Sequence, residues 1–240
     1  MTTTVLITGA NKGLGRETAR RLALQGWNVV LGARDVERGN QALKELADEG
    51  LTNVEFLEID VTSEESVAAA AVTFARDHDH LDVLINNAGA GGQRLHPSET
   101  PAAEFGAIYE TNVFGVARVT HTFLPLLQKA HNPRIVMVSS SLGSFHTMTA
   151  QDGGGYESTL LQLVYPSSKA ALNMLVTQYA KAFPDIKINA ANPGFTATDL
   201  NHNTGRQTVT EGTDAIVNLA SIGPDAPTGG FFDRNGPIPW

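Results

Sequence analysis

The fold is decided by the stretch Val5-Leu6-Ile7-Thr8-Gly9-Ala10-Asn11-Lys12-Gly13-Leu14-Gly15. Its short, apolar and β-branched beginning is typical of a strand that is covered on both faces. A glycine-rich turn follows, then a helical pattern that ends at the breaker Gly26, and then a second apolar run, Val29-Val30-Leu31. Strand, turn, helix and strand in about 30 residues predict a βαβ unit.

Strands and helices keep alternating after this unit. Apolar runs predict further strands at about 54–58, 83–85, 135–138 and 186–191, and a last short strand that includes Phe231-Phe232. Helical patterns predict helices at about 36–49, 64–79, 101–130, 165–183 and 211–221. This alternation is typical of a parallel sheet with helices on both faces. Because no linker or repeat interrupts it, we expect an α/β fold with residues 1–240 in one domain.

The composition narrows the classes of protein and of partner. With 42% hydrophobic and 18% charged residues, the 240-residue chain has the composition of an ordinary globular protein. It contains no cysteine and therefore no disulfide framework or thiolate site, which fits a reducing cytoplasm. The net charge of −8 disfavours nucleic acid and anionic membranes as partners. We see no basic signal segment and no apolar run of about 20 residues, so we expect a cytoplasmic protein.

The histidines show no metal-binding pattern. The seven histidines lack a ligand spacing such as H-E-x-x-H, and His78 and His80 stand among charges at a predicted helix end. We therefore predict no catalytic metal.

The glycine turn is typical of a phosphate-binding site. Gly9, Gly13 and Gly15 lie between a predicted strand and a predicted helix, where they allow the backbone to approach a pyrophosphate at the helix N-terminus. Their spacing is G-x-x-x-G-x-G rather than the common G-x-G-x-x-G, and an ordinary glycine turn is the alternative. The strand before the turn and the helix after it favour a dinucleotide.

Two cations favour NADP over NAD as that dinucleotide. The common fingerprint places an acid about 20 residues after the glycines, where it binds the ribose 2′-hydroxyl. Here the second strand ends in Ala33-Arg34-Asp35, and Lys12 lies within the glycine turn. Arg34 and Lys12 suit a 2′-phosphate, although each could be a surface cation, with Arg34 paired to Asp35 or Glu37. Asp35 is the feature that favours NAD.

Tyr165 and Lys169 form a candidate acid–base pair. They are four residues apart on a predicted helix and therefore lie on one face. A phenol titrates at about pH 10 in water, and a cation beside it favours the phenolate and lowers that pKa. Such a phenol suits proton transfer to and from a carbonyl or an alcohol. On spacing alone, a solvated surface pair is the alternative.

Polar residues follow several of the predicted strands. Asp60, Asn87, Ser140 and the turn Asn192-Pro193-Gly194 lie where strands end, and open α/β sheets bind ligands beyond the carboxyl ends of their strands. Each of these residues could instead cap a turn or a backbone group. Asn112 falls inside a predicted helix. It is either a solvated surface residue or a residue that opens the helix locally, so that its backbone holds a water.

Six motifs together resemble the classical short-chain dehydrogenase/reductase family along the whole chain. They are Thr8-Gly9-x-x-x-Gly13-x-Gly15, Asn86-Asn87-Ala88-Gly89, Asn112, Ser140, Tyr165-x-x-x-Lys169 and Pro193-Gly194-Phe195-Thr196-Ala197-Thr198. The features most similar to the carbonyl-reductase branch are Asn11-Lys12-Gly13-Leu14-Gly15, Ala33-Arg34-Asp35, Glu211-Gly212 and Trp240. The resemblance implies a single-domain Rossmann fold. In such a fold a doubly wound seven-stranded parallel sheet, of order 3-2-1-4-5-6-7, carries helices on both faces.

The resemblance also implies a function and a site. The function is the NADPH-dependent reduction of a ketone, aldehyde or quinone carbonyl, and the catalytic tetrad is Asn112, Ser140, Tyr165 and Lys169. Tyr165 would donate the proton, and Lys169 would bind the nicotinamide ribose. The implied cofactor-binding residues are Thr8, Gly9, Asn11, Lys12, Gly13, Leu14, Gly15, Arg34, Asp60, Val61, Asn87, Ala88, Gly89, Tyr165, Lys169, Pro193, Gly194, Phe195, Thr196 and Thr198.

Two other functions stay open from the sequence. One is a regulator that senses NADP(H) without turnover, and the other is an alcohol dehydrogenase that runs in the oxidative direction. The partner in each enzymatic case is a small-molecule carbonyl or alcohol. The resemblance is compatible with a homodimer, a homotetramer and a monomer.

The segment between Ser140 and Tyr165 is longer than the family pattern. Its residues 141–164 show no clear period, and Gly153–Gly155 disfavour a helix, so we expect a functional loop at the substrate mouth or near a dimer face. We expect the substrate pocket to form from parts of 90–98, 141–160 and 195–210. Its candidate lining residues are Leu95, Leu142, Phe145, Met148, Phe195, His96, Gln151 and Asn201.

Overall fold

One sheet runs through the molecule, which the computed structural model describes over residues 2–150 and 155–240. The predicted loop residues Gln151, Gly153 and Gly154 lie outside this description. The strands are β1 Thr4–Thr8, β2 Asn28–Ala33, β3 Val54–Glu58, β4 Val83–Asn86, β5 Arg134–Val138, β6 Lys187–Ala191, β7 Phe231–Asp233 and β8 Gly236–Pro237.

Helices connect these strands. The α-helices are α1 Gly13–Leu24, α2 Val36–Asp48, α3 Glu64–Asp77, α4 Ala103–Tyr109, α5 Gly115–Leu127, α6 Phe145–Met148, α7 Tyr156–Thr159, α8 Val164–Ala182, α9 Val209–Gly212 and α10 Asp214–Ala220. Further helical turns are a π-helical turn at Glu110–Phe114 and 3-10 turns at Pro97–Glu99, Ser141–Gly143 and Asp199–Asn201.

The predicted strand order is confirmed. The sheet has the order β3-β2-β1-β4-β5-β6-β7-β8, and its first seven strands are parallel, as in a doubly wound Rossmann fold. The described residues add an eighth strand to the seven predicted, because β8 pairs antiparallel with β7 through a tight turn. Asp233 Oδ1 accepts a hydrogen bond from Asn235 N at 2.7 Å in that turn. A strand of two residues is too short to produce a sequence pattern.

The sheet is covered on both faces, as the alternation predicts. One apolar cluster packs the sheet against α3, α5 and α8 and contains Phe74, Phe123 and Val176. The other packs the opposite face against α1, α2 and α10 and contains Leu22 and Leu46. β1 is central because it pairs with β2 on one side and with β4 on the other. The carboxyl ends of the parallel strands therefore meet at one edge.

The helix predicted at 101–130 is interrupted. It consists of α4 and α5 with the π-helical turn Glu110–Phe114 between them, and Asn112 lies in this turn. The Asn112 side chain is fully buried, so the alternative of a solvated surface residue is wrong. A π-helical turn is a local opening of an α-helix and is frequent at functional sites.

The helix predicted at 211–221 begins earlier and is divided into α9 and α10. The Thr208 hydroxyl accepts a hydrogen bond from Glu211 N at 3.2 Å, and the Glu211 carboxylate accepts one from Thr208 N at 2.9 Å. This reciprocal capping box stabilises a helix start at Val209. The predicted irregular segment also contains the short helices α6 and α7, and Ser144 caps the first of these through a hydrogen bond from Thr147 N at 3.0 Å.

Over the described ranges, the helices are too short or too polar to cross a lipid bilayer.

We predict opposite effects of alanine at two exposed glycines. Gly26 has a φ of +80° after α1, whereas Gly106 lies within α4, and a Cβ built on either meets no atom within 4 Å. Gly26→Ala should lower the free energy of unfolding by about 1 kcal/mol, because an L-residue is strained at positive φ. Gly106→Ala should raise it by about 0.5–1 kcal/mol, because alanine restricts the unfolded chain and favours a helix.

Urea denaturation of the two variants and the parent measures both changes. If both substitutions changed the free energy of unfolding equally, the positive φ of Gly26 would not be the reason for a glycine at the end of α1.

Candidate active site

A cavity of about 710 Å³ opens at the carboxyl edge of the sheet. It contains most of the predicted cofactor-binding residues. Those that line it are Gly9, Asn11, Lys12, Gly13, Leu14, Gly15, Arg34, Asp60, Val61, Asn87, Ala88, Gly89, Tyr165, Lys169, Pro193 and Thr198. Its position is the one at which open α/β sheets bind their ligands.

The glycine turn forms one wall of this cavity. Gly9 and Gly13 have φ values of +63° and +54°, which residues with a Cβ rarely adopt. A Cβ on Gly15 would lie 2.5 Å from both Asn87 Nδ2 and Gly9 O, so a side chain does not fit there. The turn leads into the N-terminus of α1, where the first backbone N–H groups favour an anion. The cradle therefore fits the pyrophosphate of a dinucleotide.

Thr8 acts behind the cavity wall. Its Oγ1 accepts hydrogen bonds from the backbone N–H groups of Asn87 and Ala88, each at 3.0 Å, and Asn87 Nδ2 donates to Thr8 O at 2.8 Å. Thr8 is buried and is not among the described residues that line the cavity. Thr8 thus joins the end of β1 to the end of β4, and it fixes Asn87 and Ala88, which do line the cavity.

The larger cavity contains the two predicted cations, one after β2 and one in the glycine turn. Arg34 and Lys12 both line it. Among the described residues Arg34 has no ion-pair partner, so the alternative pairing with Asp35 or Glu37 is not found. The Asp35 carboxylate instead caps α2, accepting from Arg38 N at 3.0 Å, and pairs with Arg38 Nε at 3.3 Å. Asp35, the residue that favours NAD in the sequence, therefore already binds groups at the start of α2.

Asn112 fixes the backbone beside the cavity. Its Oδ1 accepts from Ala90 N at 2.8 Å, and its Nδ2 donates to Ala90 O at 2.9 Å and to Ser168 Oγ at 3.0 Å. Both sides of its amide group are therefore satisfied within the protein. The amide joins the π-helical turn to Ala90, which lines the cavity, and to α8.

Tyr165 and Lys169 lie one turn apart on α8, as the spacing predicts. Lys169 is 5% exposed, its Nζ donates to Val138 O at 2.8 Å, and it lies 5.7 Å from the centroid of the Tyr165 ring. Tyr165 is partly exposed to the cavity, so the pair is not a solvated surface pair.

The pKa values of the pair move in opposite directions. Burial raises the pKa of Tyr165 to about 12, and the hydrogen bond with the Ser140 side chain only partly opposes this rise. Burial also lowers the pKa of Lys169 to about 8. The net direction is therefore opposite to the one expected from the sequence, because burial of the phenol is the largest cause and Lys169 is not among the groups that shift this pKa.

Ser140 is held against α8 by residues that sequence reasoning missed. Gly143 packs on the backbone of α8, where a Cβ would lie 2.6 Å from the Lys169 carbonyl carbon. Asn173 Nδ2 donates to Gly143 O at 3.0 Å, and the Ser139 hydroxyl donates to Asn173 Oδ1 at 2.5 Å. The sequence does contain a signal for Asn173: it is a polar residue one helical turn after Lys169 and therefore lies on the same face of the helix.

A second cavity, of about 150 Å³, adjoins the first at Tyr165. The three predicted ranges contribute to it, and of the candidates Leu142, Phe195 and Asn201 line it. Gly194, Phe195 and Thr196, predicted to bind cofactor, line this second cavity rather than the first. The predicted ranges also contribute described residues that were not named as candidates, namely Gly91, Gly92, Arg94, Ser141, Tyr156, Glu157, Leu160 and Leu200, whereas Gln162 lies outside these ranges.

Four of the remaining pocket candidates lie elsewhere. Leu95, His96, Phe145 and Met148 are not among the described residues that line the second cavity. His96 instead caps the 3-10 turn Pro97–Glu99, and Phe145 is 74% exposed at the start of α6. The remaining candidate, Gln151, lies outside the described residues.

The fold and these sites agree with a known family. Residues 3–209 match the family model described as short chain dehydrogenase. The chain therefore belongs to the short-chain dehydrogenase family and has its Rossmann fold. It is an oxidoreductase that acts on carbonyl or alcohol substrates.

Individual relatives span nearly the whole chain. The short-chain dehydrogenase anuI of Penicillium roqueforti is 39% identical over 228 residues, which cover 91% of this chain and 88% of the relative. The crystal structure of NADPH-bound carbonyl reductase from chicken fatty liver has a TM-score of 0.85 at 27% identity and covers 100% and 99% of the two chains. Salutaridine reductase from Papaver somniferum has a TM-score of 0.82 at 28% identity, with 96% and 99% covered.

We predict that Lys169→Met stabilises the protein at neutral pH. A lysine whose pKa is lowered to about 8 in the folded state binds fewer protons there than in the unfolded chain between pH 8 and about 10.5, so stability rises with pH in that window. Removing the buried charge should raise the free energy of unfolding at pH 7 by about 1–2 kcal/mol, after allowance for the lost hydrogen bond to Val138 O. This gain should shrink as the pH approaches 10.5.

Chemical denaturation at pH 7 and at pH 10 measures the difference between variant and parent. Lys181→Met is the matched control, because Lys181 lies exposed on the same helix, and it should show no such pH dependence. A Lys169→Met variant that is less stable than the parent at pH 7 would refute the unfavourable burial of the ammonium group.

Proposed function

We propose that the protein reduces ketone, aldehyde or quinone carbonyls with NADPH, and that Tyr165 donates the proton. One observation carries this proposal: Tyr165 lines both cavities, so its side chain stands where a bound dinucleotide and a substrate would meet. Ser140 lines the second cavity and interacts with the phenol. A carbonyl oxygen in the second cavity would thus meet two hydroxyl groups.

The larger cavity supports NADP(H) as the cofactor. Its glycine cradle fits a pyrophosphate, and Lys12 and Arg34 supply positive charge for a 2′-phosphate. Asp35, which would favour a free ribose hydroxyl, is engaged in capping α2. The similar carbonyl reductase from chicken fatty liver is NADPH-bound. When bound, NADPH supplies the hydride for the carbonyl carbon.

The protonation state of Tyr165 suits the reductive direction. Because burial raises its pKa to about 12, the phenol keeps its proton at neutral pH and is in the form that donates. The Ser140 hydroxyl positions the carbonyl oxygen and stabilises the negative charge that develops on it. Alcohol oxidation at the same site would instead need the phenolate.

Lys169 and Asn112 support the phenol from behind. The Lys169 ammonium, placed between Val138 O and the Tyr165 ring, would hold the hydroxyl groups of the nicotinamide ribose. Asn112 fixes Ala90 and the π-helical turn, and the opening of this turn would let backbone carbonyls hold a water that returns protons to the site. The presence of Asn112, Ser140, Tyr165 and Lys169 in one chain supports an enzyme over a regulator without turnover.

The second cavity favours an apolar carbonyl compound. Leu142, Leu160, Phe195 and Leu200 line it and would bury hydrocarbon. Its volume of about 150 Å³ suits the part of a small-molecule carbonyl compound that lies next to the reacting group.

We predict that Tyr165→Phe lowers kcat for ketone reduction by about 10²–10⁴-fold, because the proton donor is lost. NADPH binding, measured by fluorescence titration, should stay within about threefold of the parent, because the ring is retained. Tyr179→Phe is the matched control on the same helix: Tyr179 lines neither cavity within the described chain, and its loss should leave kcat unchanged. Near-full turnover of Tyr165→Phe with NADPH bound would refute the assignment.

We predict that Arg34→Ala lowers the preference for NADPH over NADH by about tenfold in kcat/KM, because a guanidinium favours the 2′-phosphate. Arg76→Ala is the control, since Arg76 lies near the end of α3, at the opposite edge of the sheet. Steady-state kinetics with both cofactors measure the ratio. An equal loss with NADPH and NADH would instead assign Arg34 to a contact that the two cofactors share.

A further inference from the structure

Asp199 forms an ion pair with Lys12, one of the two cations proposed to bind the 2′-phosphate of the cofactor. Lys12 Nζ and Asp199 Oδ2 lie 2.8 Å apart, although the two residues are 187 positions apart in the chain. Both line the larger cavity. The ion pair therefore joins the glycine turn to the 3-10 turn Asp199–Asn201 across the cavity.

The loop that delivers Asp199 is held by its own hydrogen bonds. Asn201 Oδ1 accepts from Thr198 N at 3.2 Å, and Asn201 Nδ2 donates to Thr196 O at 2.8 Å. Thr198 faces the glycine turn, because a Cβ built on Gly13 would lie 3.8 Å from its methyl group. Asp199 is therefore placed at the Lys12 side chain by a defined turn.

The carboxylate is also stabilised in its charged form. The hydrogen bond from Lys12 is the largest cause that holds the pKa of Asp199 below its usual value, and Asn203 and Arg38 add to it. The side chains of Lys12 and Asp199 are 57% and 63% exposed, and ion pairs of this exposure are weak. A dianionic phosphate beside Lys12 would compete with Asp199 successfully, whereas a ribose hydroxyl would not.

We propose that Asp199 determines the degree of cofactor selectivity: it holds Lys12 when the bound ribose carries a 2′-hydroxyl, and it must release Lys12 to a 2′-phosphate. Its negative charge also repels the phosphate. Both effects weaken the binding of NADP(H) and leave NAD(H) almost unaffected. Asp199 thus limits the preference that Arg34 and Lys12 create. The inference rests on the proposed use of NADP(H).

Calorimetric titration of the full-length protein with NADPH and with NADH tests this proposal. Asp199→Asn should lower the Kd for NADPH by about three- to tenfold and change the Kd for NADH by less than about twofold. Asp225→Asn is the matched control, because it removes one negative charge in the exposed segment before β7, at the other edge of the sheet. It should leave both Kd values unchanged.

A double-mutant cycle identifies the partner. In a Lys12→Ala background, Asp199→Asn should keep only the small part of its effect on the Kd for NADPH that comes from direct repulsion, since the competition for Lys12 no longer exists. An unchanged Kd for NADPH in Asp199→Asn, an equal change for NADH, or a full effect without Lys12 would each overturn the proposal. If the parent protein binds NADH better than NADPH, the proposed function fails instead, whatever Asp199 does.

Discussion

The site depends on the burial of one ammonium group. Lys169 is placed by α8 in the interior, where its Nζ donates to the last carbonyl of β5 and lies beside the Tyr165 ring. Burial lowers its pKa to about 8, because the interior disfavours the charge on which the proposed function relies. The position is maintained because Gly143 packs directly on the backbone at Lys169 and because Asn173 binds the Gly143 carbonyl. The same two contacts hold the turn Ser141–Gly143, which Ser140 begins.

Close contacts between backbones are the second requirement. At Gly15 and at Gly143, a single added carbon would meet neighbouring atoms at 2.5–2.6 Å, and both places lie where a loop meets a helix of the site. The first contact brings the glycine turn to Asn87 at the end of β4, and the second brings Ser140 to α8. Because Gly15 and Gly143 have no side chains, the loops can approach the neighbouring elements closely. These close contacts in turn fix the positions of Asn87 and Ser140.

The sequence predicts the fold well because apolar runs and helical periods report burial directly. It predicts the strand order, the glycine turn and the placement of Tyr165 on the same helix face as Lys169. It misses β8, because two residues carry no period. It names Thr8 among the cofactor-binding residues, and Thr8 contributes there through its hydrogen bonds to Asn87 and Ala88. It also misses the direction of the Tyr165 pKa. Spacing shows which charge is near, but only the packed structure shows how much water has been removed.

Selectivity for an anionic ligand is a particular problem for a chain with a net charge of −8. The acids near the cavity are mostly engaged by neighbouring groups: Asp35 caps α2, and Asp60 accepts hydrogen bonds from Thr62 N at 2.9 Å and Thr62 Oγ1 at 2.8 Å. Asp199 differs because its partner is Lys12 itself. Since affinity for a phosphate depends on what the cation gives up as well as on what it gains, the counting of cations alone overestimates selectivity. Under the proposed use of NADP(H), the arrangement of the acids around Lys12 and Arg34 would therefore set how strongly NADP(H) and NAD(H) are distinguished.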